Sequence, residues 1–172
     1  QEISNVPIFV LGPVTKEDVK DAAKNNITIT LHDFDQIRDI ANDYRGPQLK
    51  VHLKLDTGMN RIGLQTNNHV VQAIRLLRYN QRISVEGIFT HISTADSADK
   101  THFIYQQNKL DELLEGVNMD QFDIVHIANS ATALLHKGEY KYSNAVRIGI
   151  AMYGLQPSVE MPLPVEVKQA FS

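Results

Sequence analysis

Cysteine and tryptophan are both absent from these 172 residues. Without cysteine there is no disulfide framework, no thiolate nucleophile and no sulfur ligand for a metal. That absence fits a reducing compartment such as the cytoplasm. Neither sign of charge dominates: 17 Lys and Arg face 20 Asp and Glu, for a net charge of -3 and a pI near 6.2. The chain therefore has no basic footprint for nucleic acid or an anionic membrane. No apolar stretch approaches the roughly 18 residues of a membrane span, and the N-terminus has no signal-peptide pattern. A Walker loop and a G-x-G-x-x-G turn are also missing. No two potential metal ligands have the right spacing together with a third, so no metal site is expected. What is present is ordinary for one globular domain, 42% hydrophobic and 22% charged.

Segments of two periods alternate along the chain. "PIFVLG" (7–12) is an apolar strand ending at Gly-Pro. Thr15 and Asp18 form a capping-box-like start to a helix. "ITITL" (27–31) is β-branched and strand-like, and residues 33–44 have helical spacing at Phe34, Ile37 and Ile40. Val51, Leu53 and Leu55 alternate with His52, Lys54 and Asp56, the period of a strand. A helix follows with Val70, Ile74 and Leu77 on one face. "ISVEGIFTHIS" (83–93) predicts a strand, residues 103–117 a helix, "FDIVHIA" (122–128) a strand, "SATALLHKG" (130–138) a short helix and "AVRIGIAMYG" (145–154) a last strand.

Six βα-type units in succession imply an α/β fold with a parallel sheet. A doubly wound open sheet and a (β/α)8 barrel are both compatible with that order. The polar rows favour the barrel. His52/Lys54/Asp56, Phe89/His91/Ser93 and Arg147/Gly149 each lie at i, i+2 spacing near strand C-terminal ends. Parallel strands buried on both faces are normally continuous apolar runs, whereas a barrel's inner layers and top face host functional side chains. A barrel has eight strands and these residues supply six, so either the sheet is open or this is a piece of a barrel.

Each polar residue has a plain reading beside the functional one. Lys54 and Asp56 could form a structural ion pair, although burying one is costly. Arg61, flanked by Gly58 and Gly63, could be a surface arginine, yet its planar fork suits a carboxylate or phosphate. His91 and His126 could be hydrogen-bonded core histidines. Asn129 and Ser130 open a helix, where capping alone accounts for them but an anion could also bind. Arg147 in a strand demands an acceptor, and Gly149 lets a ligand approach the backbone. Ile150 completes that segment. His32, His69, His102 and His136 fall in helices or loops and read as solvated.

Four stretches, "VHLKLDTGMNRIG", "GIFTHISTADSAD", "HIANSATALLH" and "VRIGIAMYGLQPS", resemble the alanine racemase family in content, order and separation. The family consists of pyridoxal-phosphate enzymes with a (β/α)8 barrel followed by a β domain. The resemblance implies a partial barrel over residues 1–160, strands three to eight, with residues 161–172 leading toward the β domain. It implies that Lys54 is a lysine often carried as a carbamate, holding Arg61 in place. Arg61 would reach the cofactor's phenolic oxygen and the substrate carboxylate. Ser130, Gly149 and Ile150 would hold the phosphate, with Asn129 beside them. Arg147 would face the pyridine nitrogen, buttressed by His126 and His91, and His91 would also meet the second catalytic base.

Asn60 stands where the family often has glycine, and Ile92 where phenylalanine is common. No segment resembles the family's cofactor-lysine strand, and the partner-supplied tyrosine base belongs to the β domain. The implied activity is L-alanine/D-alanine interconversion for peptidoglycan by a cytoplasmic homodimer. Serine or broad-specificity racemisation, and a non-catalytic cofactor-binding barrel piece, are the alternatives. This chain by itself is expected to be inactive.

Overall fold

A computed structural model describes residues 6–138, 140, 142–160, 162, 164–166 and 168. Six strands, β1 (Ile8–Val10), β2 (Ile27–Leu31), β3 (Leu49–Lys54), β4 (Ile83–Phe89), β5 (Ile124–Ala128) and β6 (Ala145–Val146), pair in chain order, every pair parallel. Helices α1 (Asp18–Lys24), α2 (Phe34–Asp43), α3 (Asn67–Tyr79), α4 (Thr101–Leu113) and α5 (Ser130–Leu135) fill the crossovers. A doubly wound sheet reverses its strand order at a switch point. Here the order never reverses, so the sheet is a curved part of a (β/α)8-type barrel. The expected barrel class holds.

Alternation along the strands separates two environments. Ile29, Leu31, Leu49, Val51, Leu53, Val125 and Ile127 belong to the core packed under the helices. Their neighbours Thr30, His52, Lys54 and His126 are equally buried but lie outside that core, because successive side chains leave a strand on opposite faces. β4 changes parity partway: Ile83 and Val85 join the helix-side core, and then Ile88 does. A register shift opposite Val51/His52 accounts for it. The irregularity turns Gly87 and Phe89 toward the inner face.

Boundaries differ from the sequence expectation mainly at the strand ends. The last strand covers only Ala145–Val146, and Ile150–Tyr153 forms a 3-10 turn closed by Gly154 at φ 76°. The ladder closes with the Arg147 N–H on the Ala128 carbonyl (2.9 Å), where β5 gives way to the Asn129 cap of α5. β4 stops at Phe89, where Thr90 spends its hydroxyl on the Leu55 carbonyl (3.0 Å). Thr15 and Asp18 do bond, Thr15 Oγ1 accepting from the Asp18 N–H (3.3 Å) and donating to its carboxylate (2.6 Å), but the helix starts only at Asp18, after Glu17, so the expected capping box is not the helix cap. The expected 161–172 connection lies largely outside the described residues. Among the described residues, no helix is long and apolar enough to cross a membrane.

Candidate active site

The turn after β3 is built around Asp56. Its carboxylate accepts from the backbone N–H of Gly58 and of Asn60 (3.0 Å each) and from Gln65 Nε2 (3.4 Å). Burial opposes this charge, but those hydrogen bonds and the Lys54 charge hold its pKa below the usual carboxylate range. Asp56 is therefore the organiser of the turn. Gly58 and Gly63 take φ values of 122° and 134°, and Asn60 sits at φ 56°. That left-handed position explains the Asn60 departure noted above, because asparagine tolerates it better than other side chains with a Cβ.

Arg61, presented by this turn, lines a cleft of about 490 Å³ together with Lys54, His91, Asn129, Ser130, Arg147, Gly149 and Ile150. All nine residues singled out from sequence occur near this one cleft, His126 by bonding to Arg147 from beneath. Arg61 is exposed and has no hydrogen bond or ion pair among the described residues. The expected Lys54–Arg61 contact is not formed. Lys54 Nζ instead donates to the Leu55 carbonyl at 2.6 Å and lies 5.5 Å from the Phe89 ring centre. Burial pushes the Lys54 amine down to about 8, with Asp56 opposing and Arg147 and Arg61 adding to the shift.

Arg147 is held at four points. Nη1 donates to His126 Nδ1 (2.9 Å) and to the His126 carbonyl. Nη2 donates to the carbonyls of Thr90 (2.7 Å) and Ile127 (3.3 Å). Four acceptors use the four terminal N–H groups and leave Nε–H as the remaining donor. Burial lowers its pKa to about 10, so it remains a cation at neutral pH.

The histidine chain runs differently from the one expected. His126 Nε2 meets His52 Nδ1 at 2.8 Å, whereas His91 Nε2 lies 3.4 Å from Asn129 Nδ2. His91 lines the cleft apart from the Arg147 network. Burial first, then the charges of Arg147, Arg61 and Lys54, lowers its pKa to about 4, so its ring is neutral. At the rim the Gly149 N–H donates to Ser130 Oγ (2.9 Å), and a Cβ added at Gly149 would meet nothing within 4 Å. Asn129 caps α5, its Oδ1 accepting from Thr132 N–H (3.0 Å) while Nδ2 donates to the Ile92 carbonyl (2.8 Å). Three cations and one carboxylate, Asp96, line the cleft, a balance that favours an anionic ligand.

The comparisons with known proteins agree on one assignment. A family model described as alanine racemase, N-terminal domain, matches residues 1–157. The chain belongs to the alanine racemase family. Alanine racemase 1 of Bacillus subtilis (strain 168) is 39% identical over 169 residues, which is 96% of this chain and 42% of that protein. Alanine racemase of Halalkalibacterium halodurans is 40% identical over 173 residues, 98% and 44% of the two chains. The chain thus spans less than half the length of these relatives. Among solved structures, alanine racemase from E. faecalis superposes with a TM-score of 0.88 at 34% identity, covering 97% of this chain and 45% of that one. A histidine racemase from Leuconostoc mesenteroides subsp. sake gives 0.85 at 30% identity over 95% and 44%.

Within this racemase-family barrel, two buried residues went unnoticed from sequence. His52 was read only as part of a polar row. Gln106 on α4 was not singled out, although it is fully buried. Its Oε1 accepts from Ser93 N–H (2.9 Å) and Ser93 Oγ (3.0 Å), while Nε2 donates to Thr57 Oγ1 (3.1 Å) and the His91 carbonyl (3.0 Å). One amide thus ties the Arg61 turn to the His91 segment. The available signal was a lone glutamine at a core position of a helix. Gln106→Leu is expected to cost about 3 kcal/mol, because it strands several buried polar groups at once. A denaturation midpoint equal to the parent's would contradict that. His136, expected in solvent, is instead buried against Phe103, with Nε2 2.8 Å from the Ala95 carbonyl.

Proposed function

We propose that these residues form the cofactor- and substrate-binding part of a pyridoxal-phosphate-dependent amino-acid racemase, with alanine as substrate. The observation that carries this is Arg147: a half-buried cation clamped through both terminal nitrogens, with Nε–H left without a partner among the described residues, beside an anion-seeking cleft in a family of racemases. The residues fit the group. The volume is in the range of a cofactor site, and Gly149 leaves open space where phosphate oxygens could approach the backbone.

Pyridoxal phosphate, when bound, supplies an electron-withdrawing ring that acidifies the substrate Cα–H. Arg147 would face the pyridine nitrogen. It could donate a hydrogen bond there but holds its proton at neutral pH, so it would leave the ring nitrogen unprotonated and the ring's electron demand moderate. That suits reversible proton exchange at Cα better than decarboxylation. Arg61, without a hydrogen-bond partner among the described residues, would take the substrate carboxylate and the phenolic oxygen with its planar fork. Ser130, Gly149, Ile150 and Asn129 would hold the phosphate. Neutral His91 would orient the second base through a hydrogen bond.

Lys54 is proposed to carry a carbamate that restrains Arg61. An amine held near 8 is partly unprotonated at neutral pH, the form that adds carbon dioxide. Labelling with ¹³C-bicarbonate should give a carbamate carbonyl resonance that Lys54→Met removes. Its absence from the intact protein would end this assignment. The intact polypeptide is proposed to be a cytoplasmic homodimer supplying D-alanine for cell wall. The 172 residues alone are proposed to be inactive, because neither the family's cofactor-lysine strand nor its tyrosine base is recognisable among them.

The test is racemisation by the intact protein, followed by chiral separation and by deuterium uptake at Cα from D2O. Alanine should exchange faster than serine or histidine; histidine is included because one structural relative is a histidine racemase. Exchange with none of the three would refute the racemase reading. Faster exchange of histidine would redirect the substrate alone.

A further inference from the structure

His52 and His126 are on strands that do not pair. β4 lies between β3 and β5, so roughly 9–10 Å of sheet separates the two backbones. Yet His52 Nδ1 and His126 Nε2 are 2.8 Å apart. Gly87 makes this possible. It is the β4 residue in register with His52, and a Cβ there would stand 2.7 Å from the His52 ring. A bare Cα thus opens a passage across β4. Aromatic rings wall the passage: Phe9 packs 4.4 Å from His52 and 5.4 Å from His126, and Phe89 stacks on His126 at 4.4 Å and 11°.

The donor roles in this chain follow from its charged end. A guanidinium has only donors, so the His126 Nδ1 that meets Arg147 Nη1 must be unprotonated. A neutral His126 then carries its proton on Nε2 and donates it to His52 Nδ1. His52 in turn must carry its own proton on Nε2. One arrangement of protons satisfies every contact. Burial lowers His52 to about 4, and burial with the Arg147, His52 and Lys54 charges lowers His126 to about 3, so both rings are neutral near pH 7.

We propose that His52 is a positioning residue: by accepting the His126 Nε2 proton through the Gly87 passage, it locks His126 in the tautomer that receives Arg147. Its consequence for catalysis rests on the reading of Arg147 given above, but the tautomer lock does not. With His52 unable to accept, His126 gains from placing its proton on Nδ1 and turning away from Arg147. The guanidinium would then lose a side-chain acceptor and its fixed direction.

The test uses the intact protein labelled with ¹⁵N-histidine. In the parent, long-range ¹H–¹⁵N spectra should show both rings protonated on Nε2, with coupling across the hydrogen bond from His126 Nε2 to His52 Nδ1. His52→Phe keeps a ring against Phe9 but removes the acceptor, and should populate the Nδ1–H form of His126. His52→Asn returns an oxygen near the lost Nδ1 and should restore the Nε2–H form. If the cofactor reading also holds, kcat should fall roughly tenfold in His52→Phe, the scale of one hydrogen bond, with KM much less affected. A parent spectrum with the proton on His52 Nδ1, or a His126 signal indifferent to His52→Phe, would overturn the proposal. The parent spectrum decides even if the variant fails to fold. A lock that forms in a protein racemising no amino acid would refute the cofactor reading and leave the lock standing.

Discussion

Arg147→Lys should lower kcat/KM about a hundredfold and destabilise the intact protein by about 2 kcal/mol. The charge is kept, so an effect of this size would come from geometry. Lysine offers one nitrogen where arginine offers a planar fork whose two terminal nitrogens meet His126 and the Thr90 and Ile127 carbonyls. Those bonds tie the segment after β6 to β5 and to the end of β4. An ammonium could satisfy part of that set but could not also present a fixed N–H to the cleft. Arg147→Leu should be worse for both quantities, since three carbonyls and His126 would lose their donor. The comparison that matters is between the two variants. If lysine retains parental kcat/KM while leucine does not, Arg147 contributes only charge, and the assigned role at the ring nitrogen falls.

The second large effect is acid sensitivity. His52 and His126 lie with folded pKa values near 4 and 3, and His91 near 4, each below the ordinary 6.5, chiefly because burial penalises the cation. Between pH 6.5 and about 4 the unfolded chain therefore binds more protons than the folded one. Stability rises with pH through that window, is complete above it, and is lost as the pH falls. Each histidine contributes up to about 1.4 kcal/mol per pH unit. Discounting for His91, which is part-exposed, and for coupling between the other two, moving from pH 7.5 to 5 should cost about 3 kcal/mol. Asp56 does not share this window, because its carboxylate is held below the usual range and titrates lower. Urea midpoints measured across the range test this. His126→Asn should flatten the dependence while lowering stability near pH 7. A parent whose midpoint does not change between pH 7.5 and 5 would show that these rings are not buried neutral.

Local pattern carried much of the architecture. The alternation of Val51, Leu53 and Leu55 with His52 and Lys54 dictates which side chains share a face, because a strand permits only two directions. Repeated strand-then-helix periods dictate a parallel sheet with helical crossovers, and the DTGM-x-R-x-G turn with three other stretches carries the family resemblance in the sequence itself. The nine residues assigned to the site from sequence do gather around one cleft, since strand C-terminal ends must lie together in a barrel. Asp56 continues the alternation but lies past the end of β3, and its partners are the Gly58 and Asn60 N–H groups of the turn that follows, with Gln65.

What only the tertiary structure decided depends on register and on contacts between distant segments. Whether Arg147 reaches His91 or His126 depends on how far each strand is slid against its neighbour, and no local propensity encodes that offset. The short β6 follows from its neighbour β5 ending at Ala128, which β6's own sequence cannot announce. Gln106 belongs to a helix whose own pattern says only that this face is inward; its four partners come from segments 13 to 49 residues away. His52 reaches across an entire strand to His126, 74 residues on, through a gap left by Gly87. A sequence names the glycine and both histidines. Only the bulge that brings Gly87 opposite His52 joins them into one chain of hydrogen bonds.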